Sequence, residues 1–107
     1  MVINCTGETV FLLDDHQNVT HIYLASSILP QTSGLRFAPE TIDGVPYNVL
    51  IGGTVTGLPE EISGTTLIVT EVVAALCSGR KDLVVCKNLV RDEKGRVVGC
   101  KSLGRIW

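Results

Sequence analysis

Apolar residues fall along this chain in short runs bounded by turn residues and change to helical spacing in one place. The run Gly64-Thr65-Thr66-Leu67-Ile68-Val69 is β-branched and apolar and predicts a strand. Thr70 then offers an N-cap, Val72, Val73 and Leu76 recur at helical spacing, and Gly79 stops the pattern. The one helix is therefore expected over residues 70–78. Ahead of it, residues 8–13 and 19–24 predict a hairpin whose turn is Asp14-Asp15-His16-Gln17-Asn18. Residues 26–33, containing Pro30, read as a connecting loop. Residues 35–42 and 45–51 flank Asp43-Gly44, a dipeptide suited to a type I′ turn. Pro39 and Pro46 cannot donate ladder hydrogen bonds, so both of these strands should be edge-like or bulged there. Gly52-Gly53 suggests a bulge or bend inside one long strand, and residues 57–64 a surface loop. Beyond the helix, residues 82–85 predict a short buried strand. Residues 88–91 pair with 96–101 across Asp92-Glu93-Lys94-Gly95.

These elements predict one α+β domain over residues 1–107: a mainly antiparallel twisted sheet or partly closed β-barrel with one short α-helix. A chain of 107 residues supports one core. With 45% hydrophobic residues but only five aromatics, Val, Ile and Leu must build it. A net charge of −2 gives no field for gathering a nucleic acid polymer. The start of the chain lacks the layout of a signal peptide, and no apolar run nears the roughly 20 residues that cross a bilayer. The expectation is a cytoplasmic protein with no membrane partner. Cys5, Cys77, Cys86 and Cys100 form no C-x-x-C pair and have only His16 and His21 to assist them. They read as small core hydrophobes rather than a zinc set, and neither a metal nor a cofactor is expected. Apolar strand edges on so small a domain lead us to expect a homo-oligomer. Trp107, if ordered, would cover the core or a neighbouring subunit.

Several spaced motifs stand out: Gly57-Leu58-Pro59-Glu60, Gly64-Thr65-x-Leu67-Ile68-Val69-Thr70, Arg80-x-Asp82-Leu83-Val84, and Val90-Arg91-Asp92-x-x-Gly95-Arg96-Val97-Val98-Gly99-Cys100-x-x-Leu103. Together they resemble a family of small phage and prophage proteins with the pattern GLP…GTxYIVS…RxDLVxP…VRDxxGRIxGCxxL. Asn4-x-Thr6 and Ser33-Gly34-x-Arg36 extend the likeness more loosely into the first half. The chain departs from the pattern at Cys86, where the family usually has Pro, and at Glu8, where it often has His. The resemblance implies a viral accessory protein in the bacterial cytoplasm and brings no enzyme activity with it.

Candidate chemistry centres on the strand-to-helix corner. Thr65, Thr66 and Thr70 lie at the ends of a strand that feeds a helix N-terminus, where free N–H groups favour an anion. Arg80, Lys81, Arg91, Arg96, Lys101 and Arg105 are the cations that could close on it. Capping is the competing role for Thr70, and Glu71 opposes an anion there. Arg91 can grip a carboxylate or phosphate, or pair with Glu93 on the surface. Asp92 is suited to holding its own turn. Catalytic readings find no partners: Cys100 has no base nearby in sequence, Asp14-Asp15 sits in a turn, and His21 reads as a rim residue. The expected function is a non-catalytic binding protein, one form of which is an anti-defence sponge for a small anionic nucleotide. The ligand-binding set would be Thr65, Thr66, Thr70, Arg80, Arg91 and Arg96. The alternative is a structural or interaction module, a minor virion component or an inhibitor that reaches a host protein through a strand edge.

Overall fold

The computed structural model describes residues 1–106, so the expectation for Trp107 falls outside the described residues. Eight strands and one helix follow in the order β1 (Val2–Asn4), β2 (Val10–Leu13), β3 (Val19–Tyr23), β4 (Gln31–Ile42), β5 (Val45–Thr56), β6 (Thr66–Ile68), α1 (Glu71–Leu76), β7 (Leu83–Arg91) and β8 (Val97–Gly104). Six of the strands form one sheet in the order β1-β6-β7-β8-β2-β3, while β4 and β5 pair only with each other. The six-stranded sheet curls until a parallel bridge from Asn4 to Ala25, just beyond β3, brings its two edges together. The result is the expected α+β domain with a nearly closed barrel.

Antiparallel ladders carry most of the pairing, in β2–β3, β7–β8 and β4–β5, but the barrel also needs three short parallel joins: β1–β6, β6–β7 and β2–β8. The β2–β8 join rests on the pair Leu12–Cys100. Gly99 makes this close approach possible, because a Cβ there would sit 2.7 Å from the Phe11 carbonyl oxygen.

β6 is covered on both faces, as parallel strands usually are. On one side Leu67 and Val69 join Cys5, Val73, Ala74, Leu83 and Val85 under α1. On the other, fully buried Ile68 meets Val10 and Cys100 in the barrel interior, with Leu12, Tyr23, Val84, Cys86 and Leu103 around them. The apolar stretch of the corner therefore holds the core.

Three elements differ from the sequence expectation. Helix α1 ends at Leu76 with Cys77 as its C-cap, shorter than 70–78. β4 begins at Gln31, inside the stretch read as loop, because Gln31, Thr32 and Ser33 pair with Thr56, Val55 and Thr54. Residues 82–91 contain one strand rather than two: β7 keeps its register with β8 across Asn88, although Asn88 is left-handed (φ 55°), and shifts only between Val90 and Arg91. The bend at Gly52-Gly53 does lie within one 12-residue strand.

The β4–β5 hairpin stands apart from the barrel. None of its strand residues is buried. Its base packs on α1 where Leu35 and Leu76 close over Gly53, and Val55 reaches the core. The radius of gyration, 15.3 Å, exceeds the roughly 13 Å of a compact chain of this length, as a projecting arm requires.

Candidate functional site

The six sequence-predicted ligand residues lie in three separate places. Thr65 and Thr66 enter the sheet: the Thr65 amide donates to the Ile62 carbonyl and the Thr66 amide to that of Met1. The Thr70 hydroxyl accepts from the Val73 amide at 3.4 Å and caps α1. A helix of six residues, about 9 Å long, sums only a small dipole, and Glu71 stands in its first turn. At the corner Thr70 is engaged in capping, and the backbones of Thr65 and Thr66 in holding the chain.

Arg80 lies near the opposite end of α1. Its guanidinium grips Asp82 with two bonds of 2.8 and 2.6 Å and also donates to the Pro59 carbonyl at 2.9 Å. The hydrogen bond from Arg80 holds the buried Asp82 carboxyl below the usual carboxylate range, against desolvation, which pushes the other way. Two of the family-like motifs are fastened together by this cluster, since Pro59 belongs to one and Arg80-x-Asp82 to the other.

Arg91 and Arg96 do come together, at the tip of the β7–β8 hairpin roughly 25 Å along β7 from Leu83. Arg91 donates to the Gly95 carbonyl at 2.9 Å. Asp92 accepts from the Lys94 and Arg96 amides and from Arg96 Nε. The amide of Arg96 is the chief cause of a lowered Asp92 pKa. An open hollow of about 560 Å³ borders these side chains and Gln17, but the arginines spend part of their donors on their own turn.

A residue that the sequence reading left without a role closes the barrel. Asn4 is buried, and its Nδ2 donates to the carbonyls of Glu8 at 2.6 Å and Tyr23 at 2.8 Å. Its Oδ1 accepts from both the amide and the hydroxyl of Thr6, and its own carbonyl accepts from the amide and hydroxyl of Ser26. The spacing Asn4-x-Thr6 was the available signal. What it could not show was that Asn4 joins β1 to the end of β3.

Basic side chains converge instead at the C-terminal end of α1, where Arg80, Lys81 and Arg105 line a groove of about 340 Å³ together with Ser78 and Ile106. A second groove, about 460 Å³ and largely apolar, runs past Val10, Phe11, Leu89 and Val97. Among the described residues no group of three or more His, Cys, Asp or Glu side chains is placed to share a metal ion. All four cysteines are free, Cys5 and Cys100 buried and Cys77 and Cys86 half-buried. Burial, and then the neighbouring Cys100, push the Cys86 thiol up to about 12, so it is protonated at neutral pH and a poor nucleophile. His21 is exposed and stacks on Tyr23 with ring centres 6.2 Å apart. No helix among the described residues is long and apolar enough to cross a membrane.

No protein-family model, curated protein or solved structure matches this chain.

Proposed function

We propose that this protein is a non-catalytic interaction module, made by a phage and working in the bacterial cytoplasm, whose contact surface is the β4–β5 arm. The observation that carries this reading is the arm itself. Two 12-residue strands leave the barrel as a two-stranded sheet, and Phe37, Ile42, Val45, Tyr47 and Ile51 are all exposed on it. An isolated hairpin is marginal in water, so an arm of this length is stabilised by what covers it. Arg80, Asp82, Arg91, Asp92 and Arg96 of the motifs, by contrast, bond within the chain. A chain carrying Ile42→Ser and Tyr47→Ser should keep its fold while losing self-association and co-sedimentation with phage particles. If both properties survive those changes, or the native chain shows neither, the arm is not the working surface.

One observation favours a second reading, capture of a small anionic nucleotide. The groove at the end of α1 has the volume of a small ligand site and three cations on its rim. In that reading the binding set moves from the corner to Arg80, Lys81 and Arg105. Calorimetric titration with cyclic and linear nucleotides tests it: Lys81→Ala and Arg105→Ala should abolish any heat, and a silent panel ends it.

A further inference from the structure

Two features of the arm decide how it is covered. The Asp43-Gly44 turn has φ of 51° and 80°, the type I′ geometry that closes on a hydrogen-bonded pair, here Ile42 and Val45. Alternation along the ladder then points the backbone groups of residues 39 and 46 outward, and both are prolines. Each outer edge of the arm lacks a donor, at Pro46 beside the turn on one strand and at Pro39 three residues from the end of the other. Such prolines are a common device against edge pairing, so the arm is not built to accept an added strand. The expectation of contact through a strand edge gives way to contact through a face.

The faces differ. The register pairs Ala38 with Val49, Glu40 with Tyr47 and Ile42 with Val45; between Phe37–Leu50 and Arg36–Gly52 it slips by one residue, Ile51 on β5, so that alternation along β4 itself adds Arg36 to the same side. Phe37, Pro39 and Thr41 fall on the other side with Leu50, Asn48 and Pro46. Only the first side carries charge within the strands. Arg36, whose guanidinium lies across Gly52, is at its base, and Glu40 lies about 13 Å nearer the tip, with Asp43 in the turn beyond. None of the three forms an ion pair among the described residues.

Building on the reading of the arm as the contact surface, we infer that its occupant is a second copy of this chain, packed face to face about a two-fold axis near Ala38 and Val49. A face that is positive at its base and negative towards its tip complements itself when reversed. The axis sets Arg36 of each copy against Glu40 of the other, and it brings the two copies of the small Ala38 together at the centre. Ile42, Val45 and Tyr47 close over the flanks. On this face Ile42, Val45 and Tyr47 are 58%, 63% and 40% exposed, an apolar surface that water covers in a single copy.

Sedimentation equilibrium on the full chain tests the pairing. The native protein should sediment at twice its 11.5 kDa chain mass. Arg36→Glu and Glu40→Arg should each weaken the dimer by about tenfold or more, and the double exchange Arg36→Glu with Glu40→Arg should restore it close to the native value. Far-UV circular dichroism would establish that each variant is folded. A native chain that stays monomeric at high micromolar concentration overturns the second copy as occupant, as does a dimer indifferent to the single changes or not restored by the double one. Those outcomes leave the arm available to a different partner, and the Ile42→Ser, Tyr47→Ser chain decides that separately.

Discussion

The barrel and the arm solve the same problem, two sheets of one short chain, in opposite ways. In the barrel, every strand puts at least one residue into an apolar cluster or against one, and no buried side-chain nitrogen or oxygen among the described residues lacks a partner. In the arm, 24 strand residues in two equal strands include no buried one. The motif residues from Gly57 onward belong to the barrel and its loops, where Arg80, Asp82, Asp92 and Arg96 tie the chain to itself. A polar residue in a motif can thus mark a fastener as readily as a binding site, and the surface without internal partners is the one free to meet another molecule.

The sharpest break in this comparison comes from Asn4. Replacing it with Ala removes two donated bonds and leaves the Glu8 and Tyr23 carbonyls without this donor at the seam. Asn4→Ala should cost about 3 kcal/mol, readable as a lower urea midpoint, because it forfeits the bonds and strands polar groups as well. A loss below about 1 kcal/mol would mean that the barrel closes without its clasp.

The strands of the barrel were legible because short apolar, β-branched runs are bounded by turn residues, and the turn at Asp92 because Asp and Gly sit where a type I turn with a bulge wants them. Other features left no local trace. β4 starts at Gln31 because distant Thr54, Val55 and Thr56 supply its partners, and the polar run Gln31-Thr32-Ser33 carries no alternation to announce it. The parallel joins are likewise a matter of which strands meet, which period cannot encode. The candidate residues fall in separate places for a related reason: Arg80 finds the Pro59 carbonyl 21 residues away, and Asn4 the Tyr23 carbonyl 19 away. Residue type announced a capacity for hydrogen bonding, and only the fold decided where it was used.

Asp82 allows a finer test. Its folded pKa is depressed by the Arg80 hydrogen bond, so the charged carboxylate contributes stability at every pH above its unfolded value of about 3.9. That contribution is lost as the pH falls below about 4 through the lower folded value. Asp82→Asn should therefore cost about 1–3 kcal/mol at neutral pH, since it weakens a largely buried pair. It should also flatten the fall in stability below about pH 4. Urea midpoints for both chains across that range give the result. Parallel curves would remove the Arg80–Asp82 pair from the forces that hold Pro59 to the barrel.

The smallest effect belongs to Phe37, which would dominate a conventional core. It is 55% exposed and pairs with Leu50 on the arm's uncharged face. A buried phenylalanine loses about 3–5 kcal/mol when cut back, but a side chain already half in water has much less to lose. Phe37→Ser should change the stability of the folded chain by less than about 1 kcal/mol and leave its sedimentation unaltered. This substitution separates the two faces as Asn4→Ala separates the two sheets. A large drop in stability would place Phe37 against the barrel, and a lost dimer would transfer the contact to the face that carries neither Arg36 nor Glu40. If neither changes, the apolar exposure of the arm is divided as its charges are, with one face used for assembly and the other left to water.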